Sequence, residues 1–467
     1  ATTPILNQSN ERNATILDAR GCLAALSVGI PQFMLSSTLP VKFALEFFAE
    51  EGLHEGDVLL SNDPYHGGGH LPDYNIYAPV FHKGELVLIA SIQCHHADTG
   101  GGAPGGYNVD ALDIWAEGVR FPAIKVIDRG HERKDILYML ETNNRTPTFR
   151  GDIRAQIAAC NNGEQALQAL IESYGANKFR LYMEELHDYA ERLIRAEISE
   201  LPDGTFFFED CLDGMGEDPE TIWLRVNLTI DGDQVLIDWT GTSDQVNYAI
   251  NSTFPTTNAM SYLAVRCAIG GSIPNCEGYM RAITATAPLG SLVNPVEPAP
   301  CGARGITCFR MFDTLLGAFA QIMPDRIPAA NEGGSSAPHI AGRDHNNKPF
   351  MASGGLMGAW GGSMARDGQE GISNPAANLG NTPIELMETR QPVEITKYSF
   401  VQNSGGPGRN RGGAALQRGY RLLADEAKLI MRSDRRKVTP YGLSDGLPGT
   451  PSWNIINHGT EQKILPV

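Results

Sequence analysis

The stretch "YNIYAPVFHKGELVLIASIQCHHAD", residues 74–98, has the pattern of two β-strands joined by a tight turn at His82-Lys83-Gly84. The second strand, over 86–92, ends just before two consecutive histidines, His95 and His96. Antiparallel pairing places the start of one strand beside the end of the other. We therefore expect His70, which precedes the first strand, to lie close to His95.

Metal-capable side chains cluster at both ends of this hairpin, in "NDPYHGGGHLPDYN" (62–75) and "CHHADTGGGAPGG" (94–106). The first segment offers His70 and Asp73, and the second offers His95, His96 and Asp98. Imidazole and carboxylate groups together suit zinc, or manganese or iron where carboxylates dominate. One such residue in a turn is more often structural, but two clusters at adjoining strand ends favour a divalent metal site.

The rest of the chain predicts an α+β fold with mostly antiparallel sheets. Helical spacing covers 41–53, 152–200 with a break at Gly175-Ala176-Asn177, 257–268 and 308–322. A hairpin is expected around Asp231-Gly232-Asp233, and two strands within 420–436. We divide the chain into a metal-site region with the strand hairpin (1–150), a helical section (151–204) and an α+β region with glycine-rich loops (205–467).

Composition narrows the class of partner. The net charge of −17 over 467 residues argues against nucleic acid or an anionic membrane surface. We find no apolar run of the roughly 18 to 20 residues that a bilayer span needs, and no signal-peptide pattern in "ATTPILNQSNERN". The 8 cysteines form no CxxC pair, which favours reduced thiols in a cytoplasm over a disulfide framework or a zinc knuckle.

Six ordered motifs resemble the hydantoinase B family. They are "GDVLLSNDPYHGGGHLPDYNIYAPVF", "HHADTGGGAPGG", "EGVRFPAIKV", "NNRTPTFRGDIRAQIAA", "NPAANLGNTPIE" and "SGGPGRNRGG". The family includes one subunit of N-methylhydantoinases and lactamases, a domain of 5-oxoprolinases, and subunits of acetone and acetophenone carboxylases. The resemblance implies a hetero-oligomer with a hydantoinase A-type subunit that binds ATP, acting on a small molecule.

The resemblance also implies a metal held by two histidines and two carboxylates. His70, Asp73 and His95 match three of the family's ligands, and the fourth is an acid seven residues before Asp18, which is Glu11. Hydantoinases and lactamases more often have Asp at this place, and some carboxylases have Glu. The chain departs from the family nearby, because a helix normally follows "PILNQ" and Ser9 follows here. A glycine-rich tail also normally follows "ILPV".

Neighbouring polar residues have less specific patterns. Consecutive strand residues point to opposite faces, so His95 and His96 should not share one metal. We expect His96 and Asp98 to orient His95. A cap on the following turn is an equal alternative for Asp98, and a substrate-facing or packing role is an alternative for His96. Asp63 is expected to form a turn. Arg409 and Arg411 are expected in a solvated loop, since no phosphate-cradling GxxxxGK[ST] motif is present.

Three functions are compatible with these patterns. The leading hypothesis is the metal-binding catalytic subunit of an ATP-dependent cyclic amide hydrolase, acting on a hydantoin, lactam or 5-oxoproline-type ring. The alternative is a subunit of an ATP-dependent ketone carboxylase of the acetone or acetophenone type, in which a metal would stabilise an enolate oxygen. A non-catalytic scaffold subunit is the third, and the intact histidine motifs argue against it.

Overall fold

The computed structural model describes residues 3–27, 29–216, 219–333, 336–457 and 461–466. Helices and strands alternate irregularly along this part of the chain. The helices are α1 Pro4–Asn7, α2 Pro31–Ser36, α3 Thr38–Phe47, α4 Lys134–Thr142, α5 Phe149–Tyr174, α6 Ala176–Ser199, α7 Phe254–Ile269, α8 Glu277–Met280, α9 Gly305–Ala320 and α10 Ile384–Arg390.

The strands are mostly short and lie in several separate sheets. They are β1 Arg12–Asp18, β2 Leu23–Leu26, β3 Val58–Ser61, β4 Asp73–His82, β5 Glu85–His95, β6 Ile124–Asp128, β7 His131–Glu132, β8 Gly204–Leu212, β9 Ile222–Asp231, β10 Gln234–Asp238, β11 Ile283–Thr286, β12 Ala337–Arg343, β13 Pro349–Ser353, β14 Val393–Phe400, β15 Leu416–Leu422, β16 Ala427–Arg432, β17 Ile455–Ile456 and β18 Lys463–Ile464.

Most strand pairs are antiparallel. The largest sheet has seven strands in the order β2-β1-β5-β4-β3-β6-β7, and every neighbouring pair in it is antiparallel. A four-stranded sheet, β11-β10-β9-β8, contains one parallel pair, β10 with β11. A three-stranded sheet, β13-β12-β16, and two strand pairs complete the set. The predicted α+β class with mostly antiparallel sheets is therefore confirmed.

The hairpin of β4 and β5 has the predicted turn, where Lys83 and Gly84 have positive φ angles of 53° and 82°. Its register pairs Asp73 with His95 at the open end. Near the turn the register shifts by one residue, because Val80 pairs with Leu88 while Phe81 pairs with Leu86. Residue 87 is thus the extra residue of a β-bulge.

The two faces of the seven-stranded sheet have different neighbours. One face, which includes Tyr74 and Ile76, packs against α5. The other, which includes Tyr77 and Ile89, joins the largest hydrophobic core together with residues of α7, α9 and the four-stranded sheet. Because side chains alternate along a strand, Asp73 and His95 belong to this second face. The candidate site therefore lies on the inner side of the sheet, towards α9.

Most predicted elements form close to their expected positions. Residues 152–200 form α5 and α6 with a break at Gly175, whose φ is 80°. The helix predicted over 41–53 instead spans Thr38–Phe47, because the backbone of Phe48 already leaves the helical conformation, with φ −96° and ψ 18°. The strands predicted within 420–436 form, but β15 pairs with β14 and β16 pairs with β12. The division into 1–150, 151–204 and 205–467 stays a prediction.

The arguments from cysteine usage and from apolar runs can be compared with the fold. All eight cysteines are free thiols. Among the described residues, no helix combines the length and the apolar character that crossing a bilayer requires.

Candidate metal centre

Three buried side chains from the two ends of the β4–β5 hairpin meet at one point. His70 Nε2 lies 3.1 Å from Asp73 Oδ1 and 3.2 Å from His95 Nδ1, and His95 Nδ1 lies 3.0 Å from Asp73 Oδ1. The side chains of the two histidines are 8% and 7% exposed, and that of Asp73 is fully buried. The predicted proximity of His70 and His95 is confirmed.

These donor atoms fit a single divalent ion. Tetrahedral zinc with bonds of about 2.0 to 2.1 Å places its ligand atoms about 3.3 Å apart. The three observed separations, 3.0 to 3.2 Å, are close to that spacing. Two imidazoles and one carboxylate also match the ligand chemistry of zinc, manganese and iron. The buried group of His70, Asp73 and His95 can therefore hold a metal ion.

Residues far along the chain orient two of these ligands. The Nδ1–H of His70 donates to the carbonyl oxygen of Gly302 over 2.7 Å, which leaves the Nε2 lone pair facing Asp73 and His95. The guanidinium of Arg304 donates to Asp73 Oδ2 over 2.7 Å, so Asp73 Oδ1 remains available. Gly302 and Arg304 lie just before the first residue of α9, Gly305. The inner core thus fixes the direction of the ligand atoms.

The charges of the site follow from burial and from its neighbours. Burial lowers the pKa of His70 to about 4, so this imidazole is neutral, as a ligand must be. Burial also opposes charge on Asp73, but His70, His95 and Arg304 outweigh it and hold the pKa of Asp73 well below its usual range. Burial opposes charge on His95 as well, yet Glu11 and Asp73 raise its pKa. The site thus combines one buried acid with two imidazoles, and the charge of each group depends on the others.

Glu11, the residue matched to the fourth ligand, lies beside this group. Its Oε2 is 4.0 Å from His95 Nε2, the ring nitrogen that faces away from Asp73. Its backbone oxygen accepts the N–H of His95 over 2.9 Å. This bond continues the pairing of β1 with β5 one residue beyond the pair of Arg12 and Cys94. Burial raises the pKa of Glu11. Glu11 is thus near the site but outside the group of three, and its role as a ligand stays a prediction.

The hydrogen bonds of His96 and Asp98 lead away from His95. His96 Nε2 lies 2.7 Å from Gln156 Oε1 of α5, on the opposite side of the sheet from Asp73. The carboxylate of Asp98 accepts the backbone N–H groups of Gly105 and Arg145 and also pairs with the Arg145 guanidinium. Asp98 therefore fixes the glycine-rich loop, which favours the turn-capping alternative. That either residue holds His95 in place stays a prediction.

The remaining polar residues singled out in the sequence have structural contacts. Asp63 Oδ1 accepts the N–H of Tyr65 over 3.0 Å, which confirms the expected turn. Arg411 pairs at the surface with Glu370, and its side chain is 56% exposed. The contact of Asp63 agrees with the expected turn, and the exposure of Arg411 agrees with the expected solvated loop.

Several residues at the site had no recognised signal in the sequence. Tyr107 follows the glycine-rich loop directly, and its hydroxyl lies 3.4 Å from His95 Nε2. Its ring contacts that of His339 of β12 in a tilted arrangement, with the ring centroids 4.4 Å apart, and the guanidinium of Arg432 lies 4.6 Å from its centroid. Tyr107 could have been noticed by its place next to "GGAPGG", whereas nothing in the local pattern links Gly302, Arg304, His339 or Arg432 to the hairpin.

Gly69 is packed so tightly that an added methyl group should weaken metal binding. A Cβ there would clash with Asp73 Oδ2 and with the Arg304 guanidinium. We expect Gly69→Ala to lower metal affinity by about 10- to 100-fold, the range typical of changes behind a metal ligand. Competition titration with a chromogenic chelator would measure it. Gly163→Ala is the control, since its Cβ would meet only Ala90 at 3.4 Å. Equal affinities for the two variants would contradict this packing argument.

The sequence of the whole chain matches one family. Residues 1–465 match Hydantoinase B/oxoprolinase. The chain belongs to this family. It is 35% identical over 464 residues to a putative D-/L-hydantoinase subunit of Pseudomonas sp. (strain NS671), covering 95% of this chain and 77% of that one.

Other relatives of this hydantoinase B family member are known by sequence or structure. The beta subunit of the caprolactamase of Pseudomonas jessenii is 36% identical over 445 residues, 92% of this chain and 74% of that one. The crystal structure of the ATP-dependent caprolactamase from the same organism superposes with a TM-score of 0.90 at 29% identity, covering 98% and 81% of the two chains. A nucleotide-free acetone carboxylase structure shares the fold, with a TM-score of 0.89 at 18% identity over 97% and 63%.

Proposed function

We propose that this chain is the metal-holding catalytic subunit of an ATP-dependent cyclic amide hydrolase. The observation that carries the proposal is the buried group of His70, Asp73 and His95, whose donor atoms converge at 3.0 to 3.2 Å. Relatives named as a hydantoinase subunit and a caprolactamase subunit act on cyclic amides by name. Zinc is the metal we favour, with manganese or iron as alternatives if Glu11 also binds.

The chemistry of such a site follows from the stability of amides, whose resonance must be broken before attack. A divalent ion held by the three side chains would polarise the carbonyl oxygen as a Lewis acid. His70 and His95 would hold it as neutral imidazoles, and Arg304 would keep Asp73 aligned through its second oxygen. The hydroxyl of Tyr107, beside His95, offers a hydrogen-bond donor to an oxygen that becomes negative.

We further propose that ATP is bound by a hydantoinase A-type partner subunit in a hetero-oligomer. Both the hydantoinase relative and the caprolactamase relative are named as subunits, which supports a partner. The 8 cysteines are all unpaired, which favours a reducing cytoplasm as the location of the hetero-oligomer. The partner would phosphorylate the substrate, which makes the amide a better electrophile.

The chain alone should neither bind nor hydrolyse ATP. Its sequence has no GxxxxGK[ST] loop to cradle phosphates. Calorimetry on the isolated chain, with ATP and magnesium, should show no binding in the micromolar range. Micromolar affinity for ATP would contradict the proposal that the partner subunit is the one that binds ATP.

A ketone carboxylase is the second candidate, and Glu11 is the observation that favours it. Its carboxylate lies beside His95 where a fourth ligand would stand, and a Glu at this place is found in some carboxylases of the family. In this alternative the metal would stabilise an enolate oxygen rather than an amide carbonyl. The fold shared with acetone carboxylase is compatible with both candidates.

One screen separates the candidates. The chain, purified with its partner and analysed for metal, would be assayed for ATP hydrolysis with hydantoins, lactams and ketones, each with and without bicarbonate. We expect metal, and ATP hydrolysis stimulated by a cyclic amide without bicarbonate. Stimulation by a ketone that depends on bicarbonate would establish the carboxylase instead. Absence of metal, with turnover that survives chelation, would exclude the proposed role of the site.

A further inference from the structure

Glu117 is a buried acid that stands one contact behind His70. It begins the motif "EGVRFPAIKV" (117–126) and follows the single 3₁₀ turn Ile114–Ala116. The residue is 1% exposed, and its Oε1 accepts the backbone N–H of Gly302 over 2.7 Å. The carbonyl oxygen of the same Gly302 accepts the Nδ1–H of His70, also over 2.7 Å. Gly302 thus links Glu117 to His70.

The backbone of Glu117 is fixed by the glycine-rich loop that follows β5. The N–H of Gly102 donates to the carbonyl oxygen of Ala116 over 2.9 Å. A Cβ at Gly101, whose φ is 77°, would clash with the carbonyl group of Glu117, so this loop and the backbone of Glu117 lie in close contact. The loop therefore supports Glu117 on one side, while the carboxyl group reaches the segment that precedes α9.

Gly302 has no room for a side chain between its neighbours. A Cβ there would lie 2.9 Å from the backbone oxygen of Gly106 and 3.1 Å from Glu117 Oε1. Glycine also has more backbone freedom than any other residue, so its carbonyl group turns easily unless a contact holds it. The hydrogen bond to Glu117 holds the N–H of Gly302. The direction of the carbonyl oxygen that faces His70 therefore depends on Glu117.

An acid at this place costs free energy. It lies beside a small buried cluster of Leu71, Ile114 and Cys301. Burial raises the pKa of Glu117 to about 8, although the backbone N–H groups of Gly302 and Cys301 oppose this rise. The carboxyl group is therefore mostly protonated at neutral pH, with Oε1 as the acceptor. Its Oε2 has no hydrogen-bond partner among the described residues. The cost of burying this group indicates a role other than stability.

We propose that Glu117 is a positioning residue of the metal centre. By holding the N–H of Gly302 it aims the Gly302 carbonyl oxygen at His70, which keeps the His70 proton on Nδ1 and the Nε2 lone pair free for the ion. The inference deepens the proposed function and rests on it for the presence of the ion. Because the effect comes from the position of an oxygen atom, it does not require a charge on Glu117.

Two substitutions separate the reach of the side chain from its acidity. Glu117→Gln keeps an oxygen at the same reach but loses the acid, whereas Glu117→Asp keeps the acid and withdraws the oxygen by one methylene. We expect Glu117→Gln to bind zinc about as tightly as the wild-type chain. Glu117→Asp should bind it about 10- to 100-fold more weakly, the range typical of a lost contact behind a metal ligand. Competition titration of the full chain with a chromogenic chelator would measure both affinities.

Glu277→Asp is the matched control. Glu277 of α8 also holds a backbone N–H, that of Leu23, through Oε2 at 3.2 Å, and its Oε1 pairs with Lys42 at 3.1 Å. Shortening this side chain withdraws an acceptor from a backbone N–H outside the metal centre. The control should lower the free energy of unfolding and leave zinc affinity unchanged.

The tautomer of His70 provides a second readout that needs no ion. Nitrogen NMR of the metal-free full chain, with isotope-labelled histidine, distinguishes a proton on Nδ1 from a proton on Nε2. The signals of His70 would be assigned from their loss in a His70→Gln variant. We expect the proton on Nδ1 in the wild-type chain and in Glu117→Gln, and a mixture of both tautomers in Glu117→Asp. A general loss of stability would not change this ratio.

The inference would be overturned if Glu117→Asp bound zinc as tightly as the wild-type chain, or if Glu117→Gln or Glu277→Asp lost as much affinity as Glu117→Asp. An unchanged His70 tautomer in Glu117→Asp would overturn it too. Should Glu117→Asp fail to fold, Gly302→Ala takes its place with the same expected loss, since its Cβ forces Gly302 and Glu117 apart. A wild-type chain that bound no zinc would refute the proposed function, and the tautomer of His70 would then decide the inference by itself.

Discussion

Replacing His95 with alanine should remove the metal and abolish activity, whereas replacing His96 should leave much of the metal in place. His95 Nδ1 stands 3.0 Å from Asp73 and 3.2 Å from His70, so its loss leaves a site with too few donors. His96 bonds to Gln156 on the other side of the sheet. Its removal should reduce turnover by about 10- to 100-fold at most, the range of an indirect effect on a metal site.

Metal content of the two purified variants, measured by mass spectrometry at equal protein concentration, is the direct readout. His96→Ala serves as the matched control, because it removes the same side chain one residue away. If His96→Ala lost the ion and His95→Ala retained it, both the register of the hairpin and the assignment of the ligands would be wrong.

Arg310→Met should destabilise the protein by about 3 to 5 kcal/mol, because it removes the cation that pairs with the buried Asp434, while Asp210 keeps Arg435 at 3.0 Å. Arg310 lies in α9 with a fully buried side chain. It pairs with Asp434 at 2.6 Å, beyond the end of β16, and with Asp210 of β8 at 3.5 Å. This one guanidinium thus links α9 to β8 and to the segment that follows β16. Removing one partner of a buried ion pair lowers the free energy of unfolding far more than removing one partner of a solvent-exposed pair.

Urea unfolding would measure the effect, with Arg411→Met as the control. Arg411 also forms an ion pair, with Glu370 at 3.0 Å, but its side chain is 56% exposed. An exposed pair contributes about 0 to 1 kcal/mol, so this variant should unfold near the wild-type midpoint. A similar shift for both variants would show that the burial of Arg310 is unimportant.

The hairpin and the three converging donors could be predicted because their signals are local. Alternating residues identify β4 and β5, the turn at Lys83-Gly84 fixes their direction, and antiparallel geometry then brings His70 to His95. The resemblance to the family independently selects the same ligands. The side on which His95 points also follows from alternation along the strand.

The surroundings of the ligands could not be predicted from the same signals. Gly302 and Arg304 contact His70 and Asp73 across more than 200 positions, at separations of 232 and 231 residues, and no periodic pattern records such a contact. The alignment of Asn13, Gln93 and Asn75 across β1, β5 and β4 shows the same limit. Asn75 and Gln93 are visible as polar residues within apolar strands, but their alignment with Asn13 depends on how β1 pairs with β5. Packing between distant segments decides these features.

The bulge near the turn of the hairpin determines which residue of β5 lies beside Asp73. From Val80 to Asp73 the strands keep the register that the bulge at Val87 creates. If the strands paired without the bulge, so that Val87 faced Val80, the pairing seen at the turn would continue along the strand and Asp73 would face Cys94 instead of His95. The thiol would then share the inner side with His70, while the imidazole of His95 turned towards α5. A thiolate prefers softer ions than an imidazole does. The set of donor side chains at one end of the hairpin thus depends on the bulge at its other end.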